Sequence, residues 1–389
     1  MIHDLIILGG GCAGLSLGMQ LASDPGSLSS VLILEERSRY SHDRTWCYWG
    51  FDETHRWPIK PDHSWKKLLV SKGITKSWIE SPIIPYQMIK SESFYARAET
   101  MIRDQNIVKL VMSTRILASS WIDDNVFHIQ TSSGSHQARF VVDTRPSSER
   151  SLKKGHLWQV FLGDEIETGT DCFDPSAVTL MDFIAPSPYL VEFIYLLPLS
   201  PRRALIEQTV FSRKPLNPLD LKDRLRASIR HKLGDITYDT IRTEQGVIPM
   251  GIPSRSPTKP SPWVNCSLSS GTARASTGYA FSRIQNWSQH CANTLRKGLA
   301  PLPPSLDSGV IRKMDTLLLK IIEAHPTEAP NLFIRLFQKT RTDRLIRFLG
   351  DRALPMDILE IMKAMPSGLF LGRMIKDQLA SLSSRRDQS

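Results

Sequence analysis

Leu5-Ile6-Ile7-Leu8-Gly9-Gly10-Gly11-Cys12-Ala13-Gly14 is the stretch that decides how this chain begins. Four apolar residues in a row read as a buried parallel strand. Glycines follow at G-x-G-x-x-G spacing, on Gly9, Gly11 and Gly14. Leu15, Leu17, Met19 and Leu21 then lie in a stretch able to form a helix, and Val31-Leu32-Ile33-Leu34 is a second buried strand ending at Glu35. Each part has a physical task. Gly9 permits the tight turn out of the strand, Gly11 lets the backbone approach a pyrophosphate, and Gly14 lets helix and strand pack closely. The helix N-terminus offers free N–H groups and a positive dipole end to phosphate. Glu35 falls near the spacing of about 20 residues at which a carboxylate accepts hydrogen bonds from ribose hydroxyls. The glycine pattern alone is weak evidence, and its bland alternative is a turn without a ligand. Strand, glycines, helix, strand and acid in this order are strong evidence. The motif does not separate NAD from FAD. Its position from residue 4 onward is shared by many flavoproteins and makes FAD the expected cofactor.

The 389 residues suffice for one large domain or two to three smaller ones. A hydrophobic fraction of 41% is ordinary for a globular protein. Disorder is expected only near the ends, as in the polar tail Ser381–Ser389. The net charge of +10 admits nucleic acid, anionic lipid or an acidic substrate as partner, with plain surface solubility as the default. No zinc-finger spacing and no RNP-like motif is present, so no nucleic-acid partner is expected. Cys12, Cys47, Cys172, Cys266 and Cys291 are far apart and form no CxxC pair. This is neither a disulfide framework nor a zinc site, and it fits a reducing cytoplasm with no metal. Leu5–Leu8 is too short for a signal peptide core. No stretch approaches the roughly 18 apolar residues of a membrane span. The longest candidate, Tyr189–Leu199, contains Glu192 and Pro198 and reads as a strand.

Five tryptophans fall from Trp46 to Trp78. They read as core aromatics, or as a wall for a large apolar ligand or a cation. Ile107–Met112, Ile116–Trp121, Val126–Thr131 and Ala138–Val142 read as a small sheet, ending at Asp143-Thr144-Arg145-Pro146. Asp143 suits either a turn cap or the return of the chain to a nucleotide domain. Arg203–Phe211 reads as a strand with Glu207 inside it. By alternation Glu207 belongs to a polar face, yet Leu205 shares that face. The other reading is a carboxyl among apolar neighbours, with a raised pKa and a proton to give. Residues 213–245 read as helix plus strand, and 246–262, rich in Pro, Ser and Gly, as a loop. Trp263–Leu268 reads as a strand, followed by a small-residue loop to Tyr279 and a helix over Ala280–Lys297. This is a second helix N-terminus suited to an anion. After Pro304 the sequence looks helical to the end. Arg335, Lys339, Arg341, Arg344 and Arg347 face only Asp343 locally, and Ile358, Leu359, Met362, Met365, Leu369, Phe370 and Met374 form an apolar series. Ordinary helix packing explains any one helix; the basic and apolar faces together also suit anionic lipid.

Several segments carry a resemblance. They are Asp4–Gly14 with Glu35, Arg44-Thr45-Trp46, Tyr86–Phe94, Asp143-Thr144-Arg145, Gln159-Val160-Phe161, Met181-Asp182-Phe183, Ile206-Glu207-Gln208-Thr209, Gly246–Pro249 and Thr277-Gly278-Tyr279. In this order they resemble the flavin-dependent lycopene β-cyclases of carotenoid-making bacteria, from residue 4 to about residue 290 and more loosely beyond. The first motif is shared by many flavoproteins; the later combination is far more specific. Two departures stand out. Gln208 replaces the second acid of a Glu-Glu-Thr motif, leaving Glu207, and Pro146 replaces a glycine.

The resemblance implies an α/β fold, α+β overall. A Rossmann-like FAD domain would comprise 1–60, 100–155 and 246–300. An inserted, mainly antiparallel β substrate domain would comprise 61–99 and 156–245, and a helical, membrane-facing region 301–389. It implies conversion of the ψ ends of lycopene to β-ionone rings by protonation, carbocation closure and deprotonation. No net redox change occurs, yet reduced FAD is needed, with NAD(P)H as reductant. Glu207 becomes the candidate acid or cation stabiliser. Gly9, Gly11, Gly14, Glu35, Arg44, Gly278 and Tyr279 become candidate FAD contacts, and Trp46, Trp49 and Tyr279 candidate pocket walls. Expected partners are lycopene and related acyclic carotenoids, a lipid surface and other carotenoid-pathway enzymes. The expected location is cytoplasmic, peripheral to the inner membrane. The rival expectation is an FAD monooxygenase or a carotenoid/isoprenoid reductase of similar fold. Such hydroxylases usually carry Gly-Asp in the late FAD loop, whereas Ser269–Tyr279 contains no Asp.

Overall fold

The computed structural model describes residues 1–52, 57–123, 126–146, 157–184, 187–253, 259–366 and 368. β1 (Ile2–Leu8), α1 (Cys12–Ser23) and β2 (Val31–Leu34) form the expected βαβ unit, with the two strands parallel. The chain then leaves this sheet through β3 (Thr45–Trp49), β4 (His63–Trp65), β5 (Lys67–Lys72), β6 (Thr75–Glu80) and β7 (Tyr86–Lys90). It returns along α2 (Ser91–Arg103) into β8 (Val108–Val111), β9 (Ile116–Asp123), β10 (Val126–Thr131) and β11 (Gly134–Asp143). A second excursion carries β12 (Leu157–Thr168), β13 (Ala177–Phe183), β14 (Val191–Pro198), β15 (Arg203–Ser212), α3 (Lys222–Leu233) and β16 (Tyr238–Met250). β17 (Trp263–Asn265) and α4 (Phe281–Leu295) come back once more, and α5 (Gly309–Ala324), α6 (Ala329–Lys339), α7 (Thr342–Leu349) and α8 (Pro355–Ala364) follow.

The first sheet has the order β8-β2-β1-β11-β10-β9, with β17 beside β11. The strands between residues 107 and 142 therefore make no small sheet of their own. β8 pairs parallel with β2 and β11 parallel with β1. Val141 and Val142, fully buried, gain more against Ile6 and Ile7 than a two-sided polar sheet would offer them. α2 has no counterpart in the sequence reading. Phe94, Ala98 and Ile102 repeat every four residues, so one helical face buries into the core that α1 also builds.

The second sheet has the order β16-β12-β15-β14-β13-β5-β6 and is antiparallel except between β13 and β5. β3, β7 and β4 form a small third sheet. Residues 61–99 are thus divided: β5 and β6 extend the second sheet, while α2 packs with the first. β16 runs on to Met250, into the stretch read as a loop, because Val247 and Ile248 pair with Val160 and Gln159. Residues 254–258 of that stretch lie outside the described residues. β17 stops at Asn265, and a short 3₁₀ turn over Leu268–Ser270 replaces the expected strand end. Both faces of the second sheet are covered. Ile206 and Val210 pack on Leu225 and Ile229 of α3, each contributing roughly 1.5–3 kcal/mol by burial. The opposite face shares its core with α5 to α8, where Leu205 and Phe211 join Leu319, Ile334 and Phe337.

The C-terminal helices are fastened by charge. Arg274, 1% exposed, binds Asp315 of α5 at 3.3 Å, the Phe348 carbonyl of α7 and Asp351. The basic stretch of α6 and α7 is largely neutralised from α8, correcting the picture of a free basic face. Arg344 reaches Glu360 at 2.7 Å, and Arg347 reaches Asp357 at 2.7 Å and Asp343 at 3.2 Å. Asp357 and Glu360 lie beyond the stretch in sequence, and the α7–α8 turn brings them back. Leu369, Phe370, Met374 and the tail Ser381–Ser389 lie outside the described residues. Among the described residues no helix is long and apolar enough to cross a membrane.

Candidate active site

A cavity of about 2030 Å³ joins the first sheet to the second. Single-ligand pockets run to roughly 1,000 Å³, so this space suits a large cofactor and a substrate together. Of the residues singled out in the sequence, Gly9, Gly11, Glu35, Arg44, Glu207, Gly278 and Tyr279 line it, as does Trp46. Gly14 stands behind the wall and Trp49 is packed on Tyr86, 4.9 Å between ring centres.

The nucleotide end is built by the βαβ turn. Gly9 has φ +95, a left-handed conformation that only glycine adopts readily. A Cβ on Gly14 would lie 2.0 Å from the Gly9 carbonyl oxygen, so that helix and turn touch only because it is absent. A Cβ on Gly11 would meet nothing within 4 Å, which leaves the backbone bare toward the cavity. The Glu35 carboxylate accepts from Gly10 N–H at 2.7 Å and from Arg37 N–H and Nε–H at 2.9 and 3.0 Å. Burial pushes its pKa up, but the Arg37 guanidinium and these bonds outweigh burial and hold it below the usual carboxylate value. Arg37 also lies over Tyr40 and Tyr95, 4.8 and 5.2 Å from their ring centres. Arg44, half exposed, stands at the rim. Asp143 does cap its turn: Oδ1 accepts from Arg145 N–H at 3.1 Å, while Thr144 Oγ1 donates to Gly9 O at 2.9 Å. Gly278, with φ +72, closes the late loop against Gln159 and Ile248.

The other end is the face of the second sheet opposite α3. Strand register lays its side chains in transverse rows. Phe193, Thr209, Phe161 and Gly246 form one row across β14, β15, β12 and β16. The next row is Tyr195, Glu207, Gly163 and Glu244. Glu207 is 7% exposed, so the expectation that alternation turns it to a polar surface is overturned: α3 covers one face and the cavity lies on the other. Burial first, and then the charge of and a hydrogen bond with Glu244, push its pKa well above the ordinary carboxyl value; Arg242 opposes this. Glu244, 4% exposed, accepts from Thr45 Oγ1 at 2.7 Å and from Arg242. Arg242 in turn donates to Glu165 at 2.6 Å. The hydroxyl groups of Tyr195 and Tyr279 lie 3.0 and 3.2 Å from that of Tyr86, and all three line the cavity with Phe333 and Phe337. Thr209 Oγ1, buried there, has no hydrogen-bond partner among the described residues.

Glu244, Gly163, Tyr195 and Phe161 were not singled out as site residues from the sequence. Arg242, Glu244, Gly246 and Ile248 alternate along one strand face, a signal hidden by the proline and glycine that suggested a loop.

The fold that carries this arrangement has known counterparts. The chain overlays on a geranylgeranyl bacteriochlorophyll reductase-like protein from Thermoplasma acidophilum with a TM-score of 0.62 and 13% identity, covering 97% of this chain and 99% of that one. For a flavin-dependent brominase the values are 0.60 and 14%, covering 98% and 100%. For p-nitrophenol 4-monooxygenase from Pseudomonas putida they are 0.57 and 11%, covering 97% and 98%. At these identities the likeness is one of fold. No curated protein matches the sequence. The family model described as lycopene cyclase protein matches residues 4–371, and the chain belongs to that family.

Proposed function

We propose that this protein is an FAD-dependent lycopene β-cyclase in which Glu207 supplies the proton. The observation that carries the reading is Glu207 itself, a buried carboxyl at the aromatic end of the cavity whose pKa burial and Glu244 push well above the ordinary carboxyl value. An alkene is a weak base, so its protonation needs an acid held in a dry place. In this reading Glu207 protonates a terminal carbon–carbon double bond of the ψ end. The carbocation attacks a second double bond to close the ring, and a neighbouring proton leaves to restore a double bond. Tyr195 beside Glu207, with Tyr86 and Tyr279, gives the passing cation π-density without surrendering protons, since burial pushes all three phenols up.

Support for FAD comes from the turn. The bare backbone at Gly11 is a cradle for pyrophosphate, Glu35 suits ribose, and Arg44 and the Gly278–Tyr279 loop flank the same cavity. When bound, reduced flavin would supply negative charge near the cation; NAD(P)H is the proposed reductant. Expression in lycopene-accumulating bacteria tests the reading: β-carotene replaces lycopene. Unchanged lycopene, with the protein soluble and carrying flavin, overturns it.

The substrate dissolves in bilayers, and we infer a peripheral position on the cytoplasmic face of the inner membrane, near other enzymes of the pathway. Support comes from α8, where Met356, Leu359 and Met362 are each about half exposed on one side. With Arg344 and Arg347 paired, apolar contact carries this binding. Vesicle flotation should therefore persist in high salt and fall with Leu359→Asp; loss of binding in salt alone contradicts it.

A further inference from the structure

Glu207 and Glu244 sit on strands that do not touch. β12 runs between them, and Gly163 of β12 is in register with both. A Cβ at Gly163 would lie 2.6 Å from Glu207 Cγ. Any side chain there would stand between the two acids; glycine leaves the gap through which they meet. Glu244 is fixed from the far side. Thr45 Oγ1 and Arg242 both donate to its Oε2, and Arg242 is itself held by Glu165.

We propose that Glu244 is the positioning partner of Glu207, that the two carboxyls share one proton across the gap at Gly163, and that this pairing keeps the donor charged with its proton and aimed into the cavity. The proposal rests on the cyclase reading for what the proton does. Two carboxyls in one dry site do not both ionise, and the proton stays with the one that lacks a cation. Arg242 lies on the Glu244 side, which assigns the proton to Glu207. When Glu207 gives that proton to the substrate carbon, the pair carries two negative charges facing one carbocation. The proton released at ring closure returns to the pair, so none is consumed and no electron moves. Among the described residues, the other titratable groups around the pair are Tyr195 on β14, Cys47 on β3, Tyr86 on β7, Tyr279 in the late loop and His42, which lies 3.8 Å from Glu165. Burial favours the neutral form of each, so none replaces Glu244.

The test is a pH series on the full-length protein with reduced FAD and lycopene-bearing vesicles, for wild type, Glu244→Gln and Glu244→Asp. Removing the charge of Glu244 weakens the hold of Glu207 on its proton. The alkaline limb of the rate profile then moves to lower pH by about one unit or more, and Glu244→Asp restores part of the shift. A limb that stays in place in Glu244→Gln overturns the proposal even where the rate falls, because a purely structural role lowers the rate without moving the limb. The infrared carbonyl band of the protonated carboxyl, assigned by its loss in Glu207→Gln, gives a readout that needs no turnover. It should titrate at lower pH in Glu244→Gln and in Gly163→Ala than in wild type. Unchanged titration in whichever of these variants folds overturns the pairing. A shifted band in a protein that leaves lycopene untouched keeps the pairing and removes the cyclase reading.

Discussion

Glu35 and Glu207 line the same cavity and both are nearly shut off from solvent, 6% and 7% exposed, yet the pKa of one is held below the ordinary carboxyl value and that of the other well above it. The difference lies in what each meets. Glu35 ends a strand where Gly10 offers an N–H and Arg37 a guanidinium. Glu207 lies mid-strand, where the backbone donors are spent on the ladder and the side chain it meets, Glu244, is another acid. Burial raises both, more strongly for Glu207, and the partners set the direction of each net shift. In the proposed reading one fold thereby keeps a site for binding and a site for proton transfer within one chamber, the division of labour that paired titratable groups show in acid–base enzymes.

Substitution of each acid by glutamine should separate the two regions. Glu207→Gln should lower the rate of β-carotene formation by about 10³-fold, the loss of a positioned general acid, while flavin fluorescence titration gives an unchanged Kd. Glu35→Gln should do the reverse: FAD affinity falls roughly 10-fold, as one charge-assisted bond is lost, and turnover at saturating FAD stays within about twofold of wild type. Equal loss of turnover at saturating FAD in both variants would break the comparison. The smallest effect is on stability. Glu207 has a raised folded pKa, so its contribution is intact below the ordinary carboxyl range and is lost as pH rises toward the folded value. Glu35 has a lowered one, so its contribution is present above that range and is lost as pH falls through the folded value. Urea unfolding of the apoprotein at about pH 5 and about pH 8 should show Glu207→Gln gaining relative stability at the higher pH. Parallel pH slopes for wild type and Glu207→Gln would show that Glu207 is not protonated by its surroundings.

The two regions were also unequally legible in the sequence. The nucleotide turn is written locally: every residue of Leu5–Gly14 acts on its neighbours, so spacing alone states the geometry. Glu207 was visible as an acid in an apolar strand, but whether it faced water depended on α3 and the C-terminal helices, which no window around it contains. Its partner was invisible for a stronger reason. Tyr195, Glu207, Gly163 and Glu244 share one row only through the register of four strands, and a shift of one residue in any pairing would turn that strand's member to the other face. The basic stretch of α6 and α7 misled for the same kind of reason, since Asp357 and Glu360 answer it from the next helix. α2, by contrast, was readable from Phe94, Ala98 and Ile102; attention to motif residues in Tyr86–Phe94 passed over the period.

The interleaving of the first sheet sets a timetable for synthesis. Its strands come from residues 2–34, 108–143 and 263–265, and α4 closes over α1, where Gln285 donates to Ser16 at 2.8 Å. The glycine turn leaves the ribosome long before α4, and its supporting layer is incomplete until α4 emerges. Until β8 and β11 emerge the outer edges of β1 and β2 are unpaired, and until α4 emerges the side of α1 that it covers stays bare, exposed to chaperones or to other nascent chains. A ribosome stalled before residue 281 should carry a chain that captures no flavin, however intact its nucleotide motif.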